Sequence, residues 1–418
     1  MNDLTHFQFS VTEGVATVLM DRAGEPMNTL GPVIFDDVNT ILDRIESDEA
    51  IKAVVWGSAK SDFLVGADIR WFAELTDAVE AEKTILNAHE MFARIEGIHT
   101  KHGKPVIAAI SGACLGGGME LALCASSRIC TNRPKTQLGQ PEVQLGVIPA
   151  GGGTQRLPAL IGIADALDLI LTGRPARPRK AKKLGLVDEV VPPEMLMEVA
   201  TKRAYEAIAA APTKDKKRSF FSMDALQELA LETNPVGRNV RFKQAKDSLL
   251  KKTKGLMPAP ERALEAVRIG IEDGPEAGYA AEARFFGELV VGSESLALRS
   301  IFFASRTLER KTWVEEGVEP KDVGKVAMIG GGLMGGGIAA VSTLKAKTPV
   351  RIKEIDPAGV GRALAYVRKV VDGQVKRRRL RDFEGEKAML RVTGATDWNG
   401  FADSDLVIEA VFESLDLK

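Results

Sequence analysis

The sequence predicts an α/β protein in three parts: an α/β domain over residues 1–194, a helical extension and linker over 195–322, and a second α/β domain over 323–418. Runs of β-type residues alternate with helical segments in the first third of the chain. Ala, Leu, Glu, Arg and Lys then dominate from about residue 195 to 312, and a new strand follows a polar stretch near residue 313. Strands separated by helices are typical of the α/β class.

The N-terminal domain begins with a predicted β-hairpin. Residues 7–11 and 15–20 are β-type runs that alternate along the chain and flank Glu13-Gly14, a pair suited to a tight turn. Apolar runs at 53–56 and 105–110 each follow a longer helical segment. We therefore expect these runs to be further strands of the same sheet.

Composition restricts the class of protein. Of 418 residues, 45% are hydrophobic and 27% are charged, with a formal net charge of −1. This length predicts two or three domains, and this balance excludes disordered and collagen-like chains. A net charge near zero provides no electrostatic footprint for nucleic acid or for an anionic membrane.

The cysteines and the N-terminus bear on location. Cys114, Cys124 and Cys130 lack the spacing of metal ligands, so we expect no metal site and a reducing compartment. The first residues carry no targeting pattern, and no apolar run approaches the roughly 18–20 residues of a membrane span. The sequence therefore predicts a cytoplasmic protein without a membrane span.

Two glycine-rich turns follow predicted strands, at residues 66–69 and 112–118. Glycine lets a ligand approach the backbone closely, and the first turn of a helix leaves its N–H groups unpaired. Two such N–H groups could hold a developing oxyanion. The alternative interpretation is that each turn is only a tight junction between a strand and a helix.

Two glutamates flank this region. Glu120 lies in the first turns of the helix that begins near Gly117, and Glu142 lies in a mostly apolar stretch. A carboxyl group among apolar neighbours has a raised pKa, which suits general acid–base catalysis. Alternatively, Glu120 only complements the helix N-terminus, and Glu142 is a loop residue that faces water.

Residues 1 to about 200 resemble the crotonase-fold enoyl-CoA hydratase/isomerase family, whose domain is a spiral of ββα units. The matching segments are residues 26–30, 66–69, 112–120, 141–146, 149–157, 171–174 and 185–191. The resemblance implies an oxyanion hole formed by Ala67 and Gly117, and a CoA-binding segment formed by Ala67, Asp68 and Ile69. It implies hydration of 2-enoyl-CoA, in which Glu120 activates water and Glu142 transfers a proton at Cα.

Other functions remain open on the sequence alone. A Δ3–Δ2 isomerase needs only the proton shuttle at Glu142, so the presence of both glutamates favours a hydratase, with isomerase activity as an addition. Isomerisation alone is one alternative. A non-catalytic module that binds CoA or assists assembly is another, although such a module has no use for two catalytic carboxyls.

A dinucleotide-binding fingerprint opens the C-terminal domain. Gly330, Gly332 and Gly335 satisfy G-x-G-x-x-G after a predicted strand over 323–329 and before an Ala-rich helix. A second predicted strand, over 349–356, carries Glu354 and Asp356 about 20 residues further on. We expect Glu354 to contact the ribose, with Asp356 as the alternative. An acid there favours NAD over NADP.

Residues 325–418 resemble the first part of the Rossmann-type NAD-binding domain of 3-hydroxyacyl-CoA dehydrogenases. This resemblance implies that Met334, Glu409, Ala410 and Val411 also border the nucleotide. The order hydratase, helical linker, dehydrogenase is similar to that of multifunctional α subunits of fatty-acid β-oxidation complexes. It therefore implies a thiolase β subunit as partner, with acyl-CoA and NAD as ligands.

Dehydrogenase chemistry is not expected from this chain. The dehydrogenases it resembles need a His base paired with a Glu, both beyond the first half of the NAD-binding domain. All four histidines here lie before residue 103. We therefore expect a C-terminally truncated chain that lacks this activity. We also expect reduced NAD affinity, because an open half-domain leaves apolar surface uncovered.

Overall fold

The computed structural model describes residues 4–210, 234–310, 317–319 and 321–414. The chain forms two compact units, Met1–Lys311 and Thr312–Lys418. The first unit contains, in chain order, β1 (Phe7–Thr12), β2 (Val15–Met20), α1 (Phe35–Ser47), β3 (Ala53–Ser58), α2 (Ala78–Thr100), β4 (Val106–Ile110), β5 (Ala113–Leu115), α3 (Gly117–Leu123), β6 (Ser127–Thr131), β7 (Gln137–Gly139), α4 (Gly153–Ile161), α5 (Ile163–Thr172), α6 (Pro178–Leu184), β8 (Glu189–Val191), α7 (Leu196–Ala209), α8 (Pro235–Thr253), α9 (Pro258–Glu272), α10 (Pro275–Val290) and α11 (Ser293–Arg310).

The main sheet of this unit has six strands in the order β1-β2-β3-β4-β6-β8. The predicted hairpin is confirmed, since β1 and β2 pair antiparallel with Phe7 opposite Met20. Its turn residues Glu13 and Gly14 both have positive φ, 48° and 81°, which matches the twist of a tight hairpin. The other neighbouring strands pair parallel, and β5 and β7 form a separate two-stranded sheet.

Each face of the main sheet buries its own set of side chains. Val54 and Trp56 on β3 belong to the larger core, which α1 and α2 also line. The intervening residue, Val55, faces the opposite way and packs in a smaller core with residues of α7, including Ala200 and Ala204. This alternation follows from the two-residue period of a strand, and it places α7 over one face.

The helical extension belongs to the same compact unit as the sheet. Helices α8, α9 and α10 each have Pro in the first turn, where its missing N–H is not needed. Apolar side chains of α9 and α10, such as Val267 and Phe286, are buried in the main core. The predicted boundary near residue 194 therefore marks a change of secondary structure within one unit.

The second unit is a four-stranded parallel sheet with helices. Its elements are β9 (Val326–Ile329), α12 (Leu333–Val341), β10 (Val350–Lys353), α13 (Pro357–Lys376), α14 (Asp382–Met389), β11 (Val392–Ala395) and β12 (Leu406–Glu409). The strand order is β11-β10-β9-β12, with all pairs parallel. The first strand begins at Val326 rather than at 323, because the N–H groups of Gly324 and Lys325 donate to Asp405 instead.

Candidate active site

The two predicted glycine turns of the first unit meet. Gly66 has a φ of 102°, and a Cβ at this residue would lie 3.9 Å from the backbone nitrogen of Gly117. Gly117 begins α3, whose first N–H groups have no partner within the helix. Within the described part of the chain, the N–H groups of Ala67 and Gly117 donate no hydrogen bond. Both residues line one cavity.

Close packing explains why the residues at 117 and 118, where α3 begins, are glycines. A Cβ at Gly118 would lie 2.2 Å from the carbonyl oxygen of Leu64, and one at Gly117 would lie 2.5 Å from a methyl carbon of Leu30. Both distances are far shorter than a van der Waals contact. Glycine at these positions therefore lets α3 start directly against the strand segment that carries the other turn.

Glu120 lies in the first turn of α3 and is buried. Its Oε1 accepts the N–H groups of Gly151 and Gly153 at 2.6 and 2.8 Å. Burial, and then the charge of Glu282, raise the pKa of this carboxyl to about 7, while the two N–H groups act in the opposite direction. The group can therefore gain or lose a proton near neutral pH.

Glu142 begins a 3-10 turn, Glu142–Leu145, on the other side of the cavity. Its Oε2 is buried and has no hydrogen-bond partner among the described residues, and its Oε1 lies close to Gly116, where a Cβ would come within 2.9 Å of it. Burial, and then the charge of Glu120, raise the pKa of Glu142 well above its ordinary value. The surroundings of Glu142 therefore favour the protonated form of its carboxyl.

The cavity between these groups has a volume of about 110 Å³. It brings together the turns and the two carboxyls that were predicted from the sequence, with a mostly apolar wall. The lining residues are Leu30, Gly31, Phe35, Val65, Gly66, Ala67, Ile69, Trp71, Phe72, Ile85, Ala88, Met91, Phe92, Gly116, Gly117, Glu120, Pro141, Glu142, Leu145, Ile148, Ala150, Gly151 and Phe286. An apolar wall with a few convergent polar groups is typical of a ligand site.

Asp68 differs from its neighbours in the predicted CoA-binding segment. Ala67 and Ile69 line the cavity, whereas Asp68 does not. Its carboxylate pairs with Arg22 at 3.0 Å and with Arg70 at 2.7 Å. The hydrogen bond from Arg70 is the main reason why the pKa of Asp68 is lowered to about 2. These ion pairs hold the turn that carries the N–H group of Ala67.

A third buried carboxyl, Glu282 on α10, lies beside the site and was missed from the sequence. Its Oε1 accepts the N–H of Gly152 at 2.6 Å and lies 2.9 Å from His89 Nε2. Its Oε2 accepts the N–H of Thr154 at 3.0 Å and the hydroxyl of the same residue. In the sequence, Glu282 stands as one acidic residue among alanines in the helical extension. This pattern is equally typical of a helix face that is exposed to solvent.

The glycine fingerprint of the second unit has the geometry of a nucleotide turn. Gly330 has a φ of 90°, and a Cβ at Gly335 would lie 1.9 Å from the carbonyl oxygen of Gly330. Gly332 precedes α12 and faces open space, since no atom lies within 4 Å of the position of its Cβ. A helix N-terminus behind an open glycine turn fits a pyrophosphate.

The structure separates the two acidic candidates after β10. Glu354 points toward the glycine turn, where its Oε1 accepts the N–H of Gly331 at 2.6 Å. Asp356 instead caps α13 by accepting the N–H of Gly359 at 2.6 Å. The geometry therefore favours Glu354 as the ribose ligand.

The remaining predicted nucleotide contacts follow β12 or open α12. The N–H of Ala410 donates to Ile329 O at 2.8 Å, and a Cβ at Gly330 would lie 2.7 Å from Ala410 O. Glu409 and Val411 lie beside it, and Met334 in the first turn of α12 is exposed. All four therefore lie on the two segments that flank the glycine turn.

The described ranges of the chain contain no cluster of three or more His, Cys, Asp or Glu side chains that could hold a metal ion. No helix among them is both long enough and apolar enough to span a bilayer.

Comparison with known proteins gives two family matches. Residues 10–255 match the enoyl-CoA hydratase/isomerase family, and residues 325–418 match the 3-hydroxyacyl-CoA dehydrogenase NAD-binding domain. The fatty acid oxidation complex subunit alpha of Shewanella amazonensis is 46% identical over 97% of this chain, and that of Shewanella loihica is also 46% identical over 97%. The chain spans 56% of the length of each of these relatives.

Among solved structures, human mitochondrial delta3-delta2-enoyl-CoA isomerase aligns with a TM-score of 0.51 at 20% identity. The alignment covers 73% of this chain and 100% of the isomerase. At this identity the likeness shows the fold alone, and it agrees with the crotonase-like spiral expected for the N-terminal domain.

Proposed function

The chain belongs to the enoyl-CoA hydratase/isomerase family, and we propose that its cavity hydrates 2-enoyl-CoA thioesters to 3-hydroxyacyl-CoA. One observation carries the proposal: two carboxyls with raised pKa, the buried Glu120 and the half-buried Glu142, line the same cavity as the N–H groups of Ala67 and Gly117, which donate no hydrogen bond among the described residues. Carboxyl groups whose pKa is shifted by their surroundings in a cavity are typical of acid–base catalysis.

In the proposed reaction the thioester carbonyl accepts the N–H groups of Ala67 and Gly117. Glu120 takes a proton from water, and the water oxygen forms a bond to Cβ of the substrate. The π electrons of the Cα=Cβ bond move onto the thioester, and the resulting enolate oxygen is stabilised by the two N–H groups. Glu142 then delivers its proton to Cα, so that the net change is the addition of one water molecule.

The protonation states support this assignment of roles. The pKa of Glu120 near 7 leaves a substantial ionised fraction that can act as a base at neutral pH. The raised pKa of Glu142 favours the form of its carboxyl that carries a proton for transfer to carbon. The free oxygen of Glu120 is Oε2, because Oε1 is already occupied by two N–H groups.

Isomerisation is a second proposed activity of the same cavity. It needs only a proton shuttle between two carbons of the acyl chain, and Glu142 with the same oxyanion hole could supply it. A non-catalytic CoA-binding or assembly module is disfavoured, because burying two carboxyls in one cavity costs stability that a scaffold would not need.

The decisive experiment is direct. The purified chain should consume crotonyl-CoA, measured by the loss of absorbance of the enoyl thioester, and should form 3-hydroxybutyryl-CoA. Absence of hydration by a folded preparation that still binds a CoA product analogue would overturn the proposal.

We further propose that residues 325–418 bind NAD. The glycine turn at 330–335 would hold the pyrophosphate and Glu354 the ribose, with Met334 and residues 409–411 beside the nucleotide. Bound NAD supplies a hydride acceptor for 3-hydroxyacyl-CoA, the product of hydration. A thiolase β subunit and a cytoplasmic location are proposals that rest on the resemblance to oxidation-complex subunits.

A further inference from the structure

The turn between the cavity and α4 is held from two sides by two buried carboxylates. Along residues 151–154, alternate N–H groups point in opposite directions. Gly151 and Gly153 donate to Glu120 Oε1, at 2.6 and 2.8 Å. Gly152 and Thr154 donate to Glu282, at 2.6 and 3.0 Å. The N–H groups that bond to Glu120 and those that bond to Glu282 belong to the same short segment. A shift of one set therefore shifts the other.

Glu282 is suited to this task because both of its oxygens accept hydrogen bonds. Its side chain is fully buried, and three donors bond to it: two backbone N–H groups and the hydroxyl of Thr154. His89 Nε2 lies 2.9 Å from its Oε1. An ionised carboxylate has only acceptors, so these donors fit it better than they fit an amide or a protonated acid. Glu282 itself does not line the cavity.

We propose that Glu282, contributed by the helical extension, is a positioning residue for hydration: it fixes the residue 151–154 turn so that two N–H groups hold Oε1 of Glu120 and leave Oε2 free to activate water. This proposal rests on the proposed hydratase function. Tyr279, Glu282 and Phe286 lie three or four residues apart on one face of α10, and Phe286 lines the cavity.

Electrostatics adds a second consequence. The charge of Glu282 is, after burial, the largest factor that raises the pKa of Glu120. Removing that charge should lower the pKa of Glu120, so that the base ionises at lower pH. Other ionisable groups near this pair are Glu142 from the 3-10 turn, His89 from α2, Cys124 directly after α3, Arg156 from α4 and Tyr279 from α10.

The test compares Glu282→Gln with wild type in hydration of crotonyl-CoA across pH. The amide can accept on one side only, so one of the two backbone anchors is lost together with the charge. We expect kcat to fall about 10- to 100-fold, because a misplacement of about 1 Å can cost that much, while KM changes little. We also expect the apparent pKa on the acid side of the kcat/KM pH profile, called the acid limb below, to fall by at least about half a pH unit.

A matched control lies on the same helix. Glu288 is partly exposed and pairs with Arg262 at 3.1 Å, and Glu288→Gln should leave kcat and the pH profile unchanged. A purely structural role for Glu282 would lower the unfolding temperature and the active fraction without moving the acid limb. An unshifted limb in a folded Glu282→Gln variant therefore overturns the proposal.

A milder variant decides the matter if Glu282→Gln does not fold. Thr154→Val removes the hydroxyl donor but keeps the backbone N–H and the charge of Glu282. It should lower kcat by about 3- to 10-fold, which is less than the full worth of a hydrogen bond to a charged group, because the backbone N–H of Thr154 still donates to Glu282. An unchanged kcat would overturn the proposal. Lack of hydration by the wild type would instead overturn the proposed function, and this inference with it.

Discussion

Replacing Glu120 by Gln tests the division of labour between the two carboxyls of the cavity. Gln is nearly isosteric with Glu, and its Oε1 can accept the same N–H groups of Gly151 and Gly153. It cannot take a proton from water. General acid–base groups contribute about 10²–10⁴-fold to rate, which corresponds to about 3–5 kcal/mol of activation free energy. We therefore expect hydration to fall by at least about 100-fold.

Isomerisation should respond differently to the same change. Moving a double bond needs only the proton shuttle at Glu142, so Glu120→Gln should leave a larger share of any isomerase activity. The turn that supplies the N–H of Gly117 should keep its geometry, because Gln is nearly isosteric with Glu. Affinity for a CoA product analogue, which reports folding and binding, should therefore change little.

The assay measures hydration of crotonyl-CoA and isomerisation of a 3-enoyl-CoA on one preparation of each variant. Analogue affinity on the same preparation separates lost chemistry from lost structure. If both activities fall in equal proportion while the analogue still binds, the two glutamates act as one unit, and the separate roles assigned to them are wrong.

Three further predictions follow from the same geometry. Glu142→Gln should lower hydration by about 10²–10⁴-fold and abolish isomerisation; isomerase activity at the wild-type level would contradict its role as the shuttle. Because the folded-state pKa of Glu120 is raised to about 7, its contribution to stability is fully present below the unfolded pKa and is lost as pH rises through 7. Urea unfolding should thus give a free energy about 1–3 kcal/mol lower at about pH 8.5 than at about pH 5.5, and Glu120→Gln should reduce this difference. In the second unit, Glu354→Ala should weaken NAD binding and reduce any preference for NAD over NADP. If the wild type and the variant bind NAD with equal affinity, Glu354 is not part of the ribose site.

Much of the cavity could be predicted because its signals are local in sequence. The strand-to-turn-to-helix junctions carry glycines whose positive φ or close packing admits no side chain, as at Gly66 and Gly118. Glu120 lies within the same short segment, and Glu142 lies in an apolar stretch that already indicated a raised pKa. In the second unit, Asp356 caps the start of α13, which leaves Glu354 as the acidic residue next to the glycine turn.

The part that could not be predicted depends on contacts between distant segments. Glu282 and His89 are 193 residues apart in the chain and meet at 2.9 Å only because α10 packs on α2. Neither residue belongs to a motif, and their helices have ordinary helical composition. Strand lengths were overestimated in the second unit for a related reason, since side chains such as Asp405 replace the expected ladder partners.

The two buried carboxyls, Glu120 and Glu282, help to explain why the helical extension and the α/β domain form one unit. Each buried charge costs free energy unless donors surround it, and Glu120 and Glu282 obtain theirs from the same four-residue turn. Glu282 therefore reaches its donors only when α10 is packed in place. Without α10, nothing would fix the 151–154 turn from the side opposite Glu120, and its hydrogen bonds to Glu120 would be less well positioned. The extension also contributes Phe286 to the cavity wall. The catalytic geometry proposed for this cavity is thus a property of the whole first unit, and a family match that ends at residue 255 leaves out a residue on which that geometry depends.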